Sequence, residues 1–147
     1  MLPSKHFIFG LIFTGFLYFI FPKINFIGFL IIIFSTFLID VDHYLYYAYK
    51  KKNFSLRNAY KWFIGHEKKL LSLPWKQRNK FQTGFSFLHG IEILFILLIL
   101  WIFVSKYFLF VFVGFAFHLL LDSIEQTTYW DRISKVSLVN DYLMFRK

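Results

Sequence analysis

Eight residues of this chain pair imidazoles with carboxylates in four separate stretches: His6; Asp40, Asp42 and His43 in FLIDVDHYL; His89 and Glu92 in FLHGIEIL; His118 and Asp122 in FHLLLDSIEQ. Residues three or four apart share a helix face. The spacing therefore lets His118 and Asp122, His89 and Glu92, and Asp40 and His43 each aim a nitrogen and an oxygen at one point. Asp42 faces elsewhere unless the helix ends there. Glu125, seven residues past His118, falls on nearly the same face and could be an extra ligand or a general base. Helical bundles build metal sites from inward His and carboxylate pairs of this kind, and such donors suit Zn²⁺, Mn²⁺ or Fe²⁺. The chain has no cysteine, which excludes thiolate sites and disulfides. Four histidines and four acids exceed the needs of one tetrahedral ion. Two or more ions about 3.5–4 Å apart would use them, and such pairs favour hydrolysis of phosphate esters. Taken singly, the groups have plainer readings: His6 as a surface residue, the Asp40-x-Asp42 pair as a solvated cap, His89 with Glu92 as a buried hydrogen bond. Their joint pattern is what points to a shared metal or proton site.

The elements that must position these residues are apolar. Hydrophobic residues make up 58 % of the 147 and aromatics 24 %, against roughly 45–50 % apolar in a soluble domain. Four runs stand out, and the hydropathy predicts an all-α integral membrane bundle of four transmembrane helices over about 7–22, 24–40, 85–105 and 107–122, forming a single domain of residues 1–147. A span needs roughly 20 apolar residues. The third run meets this, while the others must recruit flanking residues or thin the bilayer. The first run lacks a small-residue cleavage site and reads as a retained span.

Charge sets the expected orientation. Of the 17 Lys and Arg, only Lys23 and Lys106 fall in the two short connections; the other fifteen lie in the N-terminus, the long loop and the C-terminal tail. Four spans put those three segments on one side, which the positive-inside rule makes cytoplasmic. All four ionisable stretches then sit at that same face. The loop between the second and third spans mixes aromatics with cations, and suits amphipathic helices at the headgroup level over 44–82. Its plain reading is an interfacial brace without chemistry, and His66 and Glu67 within it read as surface residues. Asp131, in the tail, could fold back toward the site. The net charge of +9 points to anionic lipid headgroups rather than nucleic acid.

These motifs resemble a known family. An N-terminal His, an Asp-x-Asp-His after the second span, a His motif opening the third and His-x-x-x-Asp closing the fourth are similar to small bacterial and archaeal proteins described as membrane-bound metal-dependent hydrolases. That family often carries Pro-Asp-Ile-Asp-His where this chain has Ile39-Asp40-Val41-Asp42-His43. Many members read His-Arg-Gly-x-Thr-His-Ser at the third motif, where this chain has His89-Gly90-Ile91-Glu92, with Glu92 replacing the second His. The fourth motif is retained as His118-Leu119-Leu120-Leu121-Asp122. A more distant similarity is to zinc-dependent phospholipase C, and that kinship implies a phosphoester substrate.

The expectation is a hydrolase of the inner membrane, with both termini and the active site cytoplasmic, acting on a phosphoester of a lipid or lipid-linked substrate. The cofactor would be a divalent metal, zinc first and manganese or iron as alternatives. His6, His43, His89 and His118 with Asp42, Glu92 and Asp122 are the expected metal-site residues. Asp40 and Glu125 are the expected proton acceptors, with Asp40 or His43 also open to a ligand or orienting role. Two rivals remain: an ion or proton transporter component, and a scaffold whose metal only staples helices. Polar groups on one side alone argue against a path across the whole membrane. No nucleophilic Ser or Cys setting, Gly-rich phosphate loop or dinucleotide motif is present. Four spans make a narrow bundle, which a homodimer would widen.

Overall fold

The computed structural model describes residues 3–78, 86–129 and 137–139. Among them the regular structure is entirely helical: α1 (Pro3–Ile20), α2 (Phe26–Leu38), α3 (Val41–Lys51), α4 (Leu56–Ser72), α5 (Trp75–Arg78), α6 (Ile91–Phe103) and α7 (Tyr107–Tyr129). The short connections after α1 and α6 force two antiparallel hairpins. α2 packs against both α1 and α7, and α7 against α6. His6, at the start of α1, therefore meets the second half of α7, as does the end of α2.

The burial pattern is inverted relative to a soluble protein. Polar side chains outnumber apolar ones among the buried described residues, and the outer surface carries Phe19 (88 % exposed), Phe103 (80 %), Ile102 (66 %) and Ile12 (64 %). An apolar exterior of this extent matches lipid, not water, as the surrounding solvent. Pro3–Ile20, the α2–α3 path Phe26–Lys51 and Tyr107–Tyr129 are long and apolar enough to cross a membrane. α6 is equally apolar but has 13 residues, about 20 Å at 1.5 Å per residue, against a hydrocarbon core of about 30 Å. The expected run 85–105 shortens at its start because Gly90 is extended (φ −124°, ψ 147°) and caps the helix. Conversely, the fourth run continues as helix to Tyr129, seven residues beyond its expected end.

Between lipid-facing surfaces the helices meet through small residues, as membrane helices do. A Cβ on Gly114 of α7 would lie 2.6 Å from Ser35 Cβ and 2.7 Å from the Ile32 carbonyl of α2, and one on Gly10 of α1 would collide with Thr36. Phe13 and Phe117 stack at 3.9 Å between α1 and α7. Gly114→Val is expected to wedge α2 from α7 and cost about 1–3 kcal/mol. Its thermal unfolding in detergent checks this.

The α2–α3 junction is the local feature that matters most for chemistry. Leu38 ends α2, and the backbone tightens: Asp40 N–H donates to Phe37 O at 3.2 Å, Asp42 N–H to Ile39 O at 3.4 Å and His43 N–H to Asp40 O at 3.1 Å. Bonds to the third residue back overwind the chain relative to an α-helix. Asp40, Asp42 and His43 thereby turn toward a common centre, which a continuous helix would deny to Asp42. The segment 44–78 folds as α3 to α5, and α4 lays Trp62 against Tyr47 (5.6 Å) and Phe63 near His43 (5.9 Å). Arg78 donates to the carbonyls of Leu71, Leu73 and Tyr129, tying the end of α4 to the end of α7.

Candidate metal centre

Four histidines and three aspartates from separate segments meet where these elements converge. His6 (α1), Asp42 (α3), His89 (ahead of α6) and His118 (α7) are all but fully buried, and Asp40 and Asp122 are 8 % exposed.

The second nitrogen of each ring explains how the rings are held. His118 Nδ1 lies 2.7 Å from the Thr36 carbonyl. A carbonyl can only accept, so Nδ1 carries the proton and Nε2 presents its lone pair inward. His89 Nδ1 donates to Asp42 Oδ2 at 3.0 Å, and the Leu88 N–H donates to the same oxygen at 2.9 Å. His43 Nδ1 lies 3.0 Å from Ser86 Oγ and 3.5 Å from Asp42 Oδ1. Three rings are thus tethered through Nδ1 and aim Nε2 at the centre. Metal-ligating histidines are oriented in this way by carboxylates and carbonyls.

The inward atoms are closely spaced. His89 Nε2 and His118 Nε2 are 3.1 Å apart. His118 Nε2 lies 3.3 Å from Asp122 Oδ2 and 3.7 Å from Asp40 Oδ1. His89 Nε2 lies 3.6 Å from Asp122 Oδ2 and 3.5 Å from Asp40 Oδ1. His43 Nε2 is 3.8 Å from Asp40 Oδ1, and His6 Nε2 is 3.2 Å from Asp122 Oδ1. Ligands at 2.0–2.1 Å from a tetrahedral ion stand about 3.3 Å from one another. Two Nε2 lone pairs facing each other repel unless a proton or cation lies among them. The three buried carboxylates likewise require positive charge. These distances also make ion pairs with protonated histidines, and both accounts use the same atoms.

Several buried atoms lack hydrogen-bond partners: both ring nitrogens of His6, Asp40 Oδ2 and Asp42 Oδ1. Buried polar atoms are satisfied in the great majority of cases, and an unpaired one calls for an ion, a water or a catalytic role. Two groups of three have ligand atoms close enough to hold a metal ion: His6, His118 and Asp122, and Asp40, His43 and His89. The donor set therefore fits a divalent cation.

Three expected residues sit differently. Glu92 shares no face with His89, because His89 precedes the helix and Glu92 lies in its first turn. Its carboxylate instead accepts from Ser137 Oγ at 2.6 Å and Leu138 N–H at 3.0 Å. Asp42, expected as a ligand, lies against the Nδ1 atoms of His89 and His43. Asp40, expected first as a proton acceptor, lies among the clustered donors. Glu125 is half-buried one turn beyond Asp122 and belongs to neither group of three. His66 is half-buried, with its Nδ1 2.9 Å from the Trp62 carbonyl. Asp131 lies outside the described residues. Two contributors escaped sequence reasoning. Thr36 acts through a backbone carbonyl, which no side-chain pattern signals. Ser86 lies three residues before His89, and its position ahead of the motif was the available sign. Glu92→Ala should leave metal content unchanged within about twofold, since loss on the 10–100-fold scale is expected only of groups that ligate or orient. Elemental analysis beside wild type checks this.

Comparison with protein-family models, with curated proteins and with solved structures finds no match to this chain.

Proposed function

We propose that the chain is a membrane-embedded metal-dependent hydrolase that acts at the cytoplasmic face on a phosphoester of a lipid or lipid-linked substrate. The observation that carries this reading is the convergence of histidine Nε2 atoms and aspartate oxygens from four segments, with Nδ1 tethered outward on His43, His89 and His118. With Nδ1 engaged outward, the Nε2 of each ring points inward, which is the orientation a metal ligand requires.

A bound divalent cation, zinc by preference for this donor set, would polarise a phosphoryl oxygen and make water a nucleophile near neutral pH. The chain's own groups supply the rest. Asp42 and the Thr36 carbonyl hold the imidazoles in the ligating tautomer. Asp40 Oδ2, buried and without a hydrogen-bond partner, is the oxygen best suited to take a proton from water. Glu125 is the alternative acceptor.

Depth supports a lipid substrate. His118 follows the start of α7 by eleven residues, and His6 precedes the end of α1 by fourteen. At 1.5 Å per residue the centre lies about 17–21 Å from the far end of the bundle. In a hydrocarbon core of about 30 Å, the centre then sits roughly 10 Å below the near boundary, within reach of a bond close to a headgroup. In this reading α6 completes a fourth span by local thinning of the bilayer. The near boundary is cytoplasmic by the positive-inside rule, because the sequence segments on that side of the four spans carry fifteen of the 17 cations, and the cations of α3 to α5 gather anionic headgroups there. The motifs' resemblance to membrane-bound metal-dependent hydrolases points to the same class of chemistry.

The test is hydrolysis of phospholipids and model phosphodiesters in mixed micelles by purified protein, with and without chelator. Turnover that chelation removes and added metal restores is the expected result. Absence of turnover across lipid monoesters, diesters and pyrophosphates, with a metal-loaded protein, would reject the hydrolase.

A further inference from the structure

The seven clustered side chains have an internal order that a single ion leaves unexplained. His6 and His118 stack at 3.8 Å between ring centroids with 20° between planes, and Asp122 reaches both, with Oδ1 toward His6 and Oδ2 toward His118. His43 and His89 stack at 4.6 Å and 27°, and Asp40 reaches both. Each half is therefore a stacked imidazole pair plus one carboxylate. The halves touch through the His89 and His118 Nε2 atoms, 3.1 Å apart.

Resting on the metal-centre reading above, we infer that the site holds two divalent cations: one on His6, His118 and Asp122, the other on Asp40, His43 and His89. The alternative is one central ion on His89, His118, Asp40 and Asp122, whose known separations of 3.1–3.7 Å would suit it. That arrangement leaves His6 completely buried with neither ring nitrogen hydrogen-bonded. Its Nε2 faces Asp122 Oδ1 at 3.2 Å, and its Nδ1 has no partner. A fully buried imidazole aimed at a carboxylate and otherwise unsatisfied is accounted for by an ion of its own. Three protein ligands per ion also leave a position open on each, as catalytic sites require and closed structural sites do not.

Asp122 and Asp40 are then the shared elements. Asp122 Oδ2 lies 3.6 Å from His89 Nε2 in the opposite half, and Asp40 Oδ1 lies 3.7 Å from His118 Nε2. Each carboxylate lies close to both imidazole pairs, so the two three-ligand groups adjoin one another. The halves differ in access: His43 is 25 % exposed at its side chain, whereas His6 and His118 are sealed. The ion on Asp40, His43 and His89 is the outer one and should exchange faster.

The experiment is equilibrium titration of metal-stripped full-length protein in detergent with Zn²⁺, with stoichiometry read by elemental analysis after gel filtration. It compares wild type, His6→Ala and His43→Ala, each first shown monodisperse and helical. The inference expects about two ions in wild type and about one in each variant, following the split into two three-ligand sites. One ion in all three proteins would overturn it and leave a single-ion centre. Two ions retained in both variants would overturn the assignment of these ligands. No ion in wild type would reject the metal centre itself.

Discussion

Replacing His118 by alanine should abolish metal-dependent hydrolysis, lowering turnover by at least about 10³-fold, while the protein still inserts and remains helical. The magnitude follows from the role of the ion. Metal-activated water and a polarised phosphoryl oxygen supply most of the rate in such sites, and each factor of ten is about 1.4 kcal/mol of barrier. His118 is the ring with most to lose. Its Nε2 lies within 3.7 Å of His89, Asp122 and Asp40, and its other nitrogen is spent on Thr36. Insertion should survive because α7 keeps its apolar surface, and alanine is the best helix former. Turnover per mole of inserted protein, with circular dichroism as the control, is the measurement. Full activity in the variant would contradict the account.

The second large effect is expected at Asp42, which need not touch the ion. Its Oδ2 accepts from His89 Nδ1 at 3.0 Å and from the Leu88 N–H at 2.9 Å, and its Oδ1 faces His43 Nδ1 at 3.5 Å. Asp42→Asn keeps the shape but replaces one oxygen by an NH₂ group. The amide can keep its one oxygen for His89 and Leu88, but the charge that fixes the His89 tautomer is gone. Loss of such a partner typically costs 10–100-fold in metal affinity or activity. Competition with a metallochromic chelator should register a fall of that size, with the number of ions at saturation unchanged. A purely ligating Asp42 would instead lose stoichiometry, so the two roles separate in one titration.

Much of this arrangement is legible in the residues. The pair His118 and Asp122 lies on an unbroken helix, where four-residue spacing does place both at one point. The apolar runs announce a lipid-facing exterior, and His6 is drawn in because α1 must start where α2 ends. The pair His89 and Glu92 fails the same test for a local reason. Gly90 is extended, so the two residues stand on opposite sides of a helix start, and three-residue spacing no longer means a shared face. Asp42 shows the reverse case. An unbroken helix would turn it away, and only the tightened backbone at Ile39–Asp40 brings it in. Thr36 was beyond reach, because its contribution is a carbonyl exposed by the end of α2. Spacing rules carry sites built on one helix well, and sites built on helix ends poorly.

Polar burial bears on the transporter alternative. Below the centre, Thr14 and Thr36 are buried but donate to carbonyls of their own helices, Gly10 and Ile33, at 2.7 and 2.6 Å. Titratable groups collect around the centre, and beneath it the described interior holds the buried Ile32 and Ile33, with the half-buried Phe13 and Phe117 stacked between α1 and α7.

The most direct test of the central claim is the metal content of protein purified without a polyhistidine tag, measured by inductively coupled plasma mass spectrometry beside His89→Ala/His118→Ala. The account predicts at least one equivalent of zinc, manganese or iron in wild type, and loss of it in the double variant. No metal in either protein, even after reconstitution with each ion, would mean that the converging histidines and aspartates serve ion pairing or proton transfer, and would contradict the metal centre.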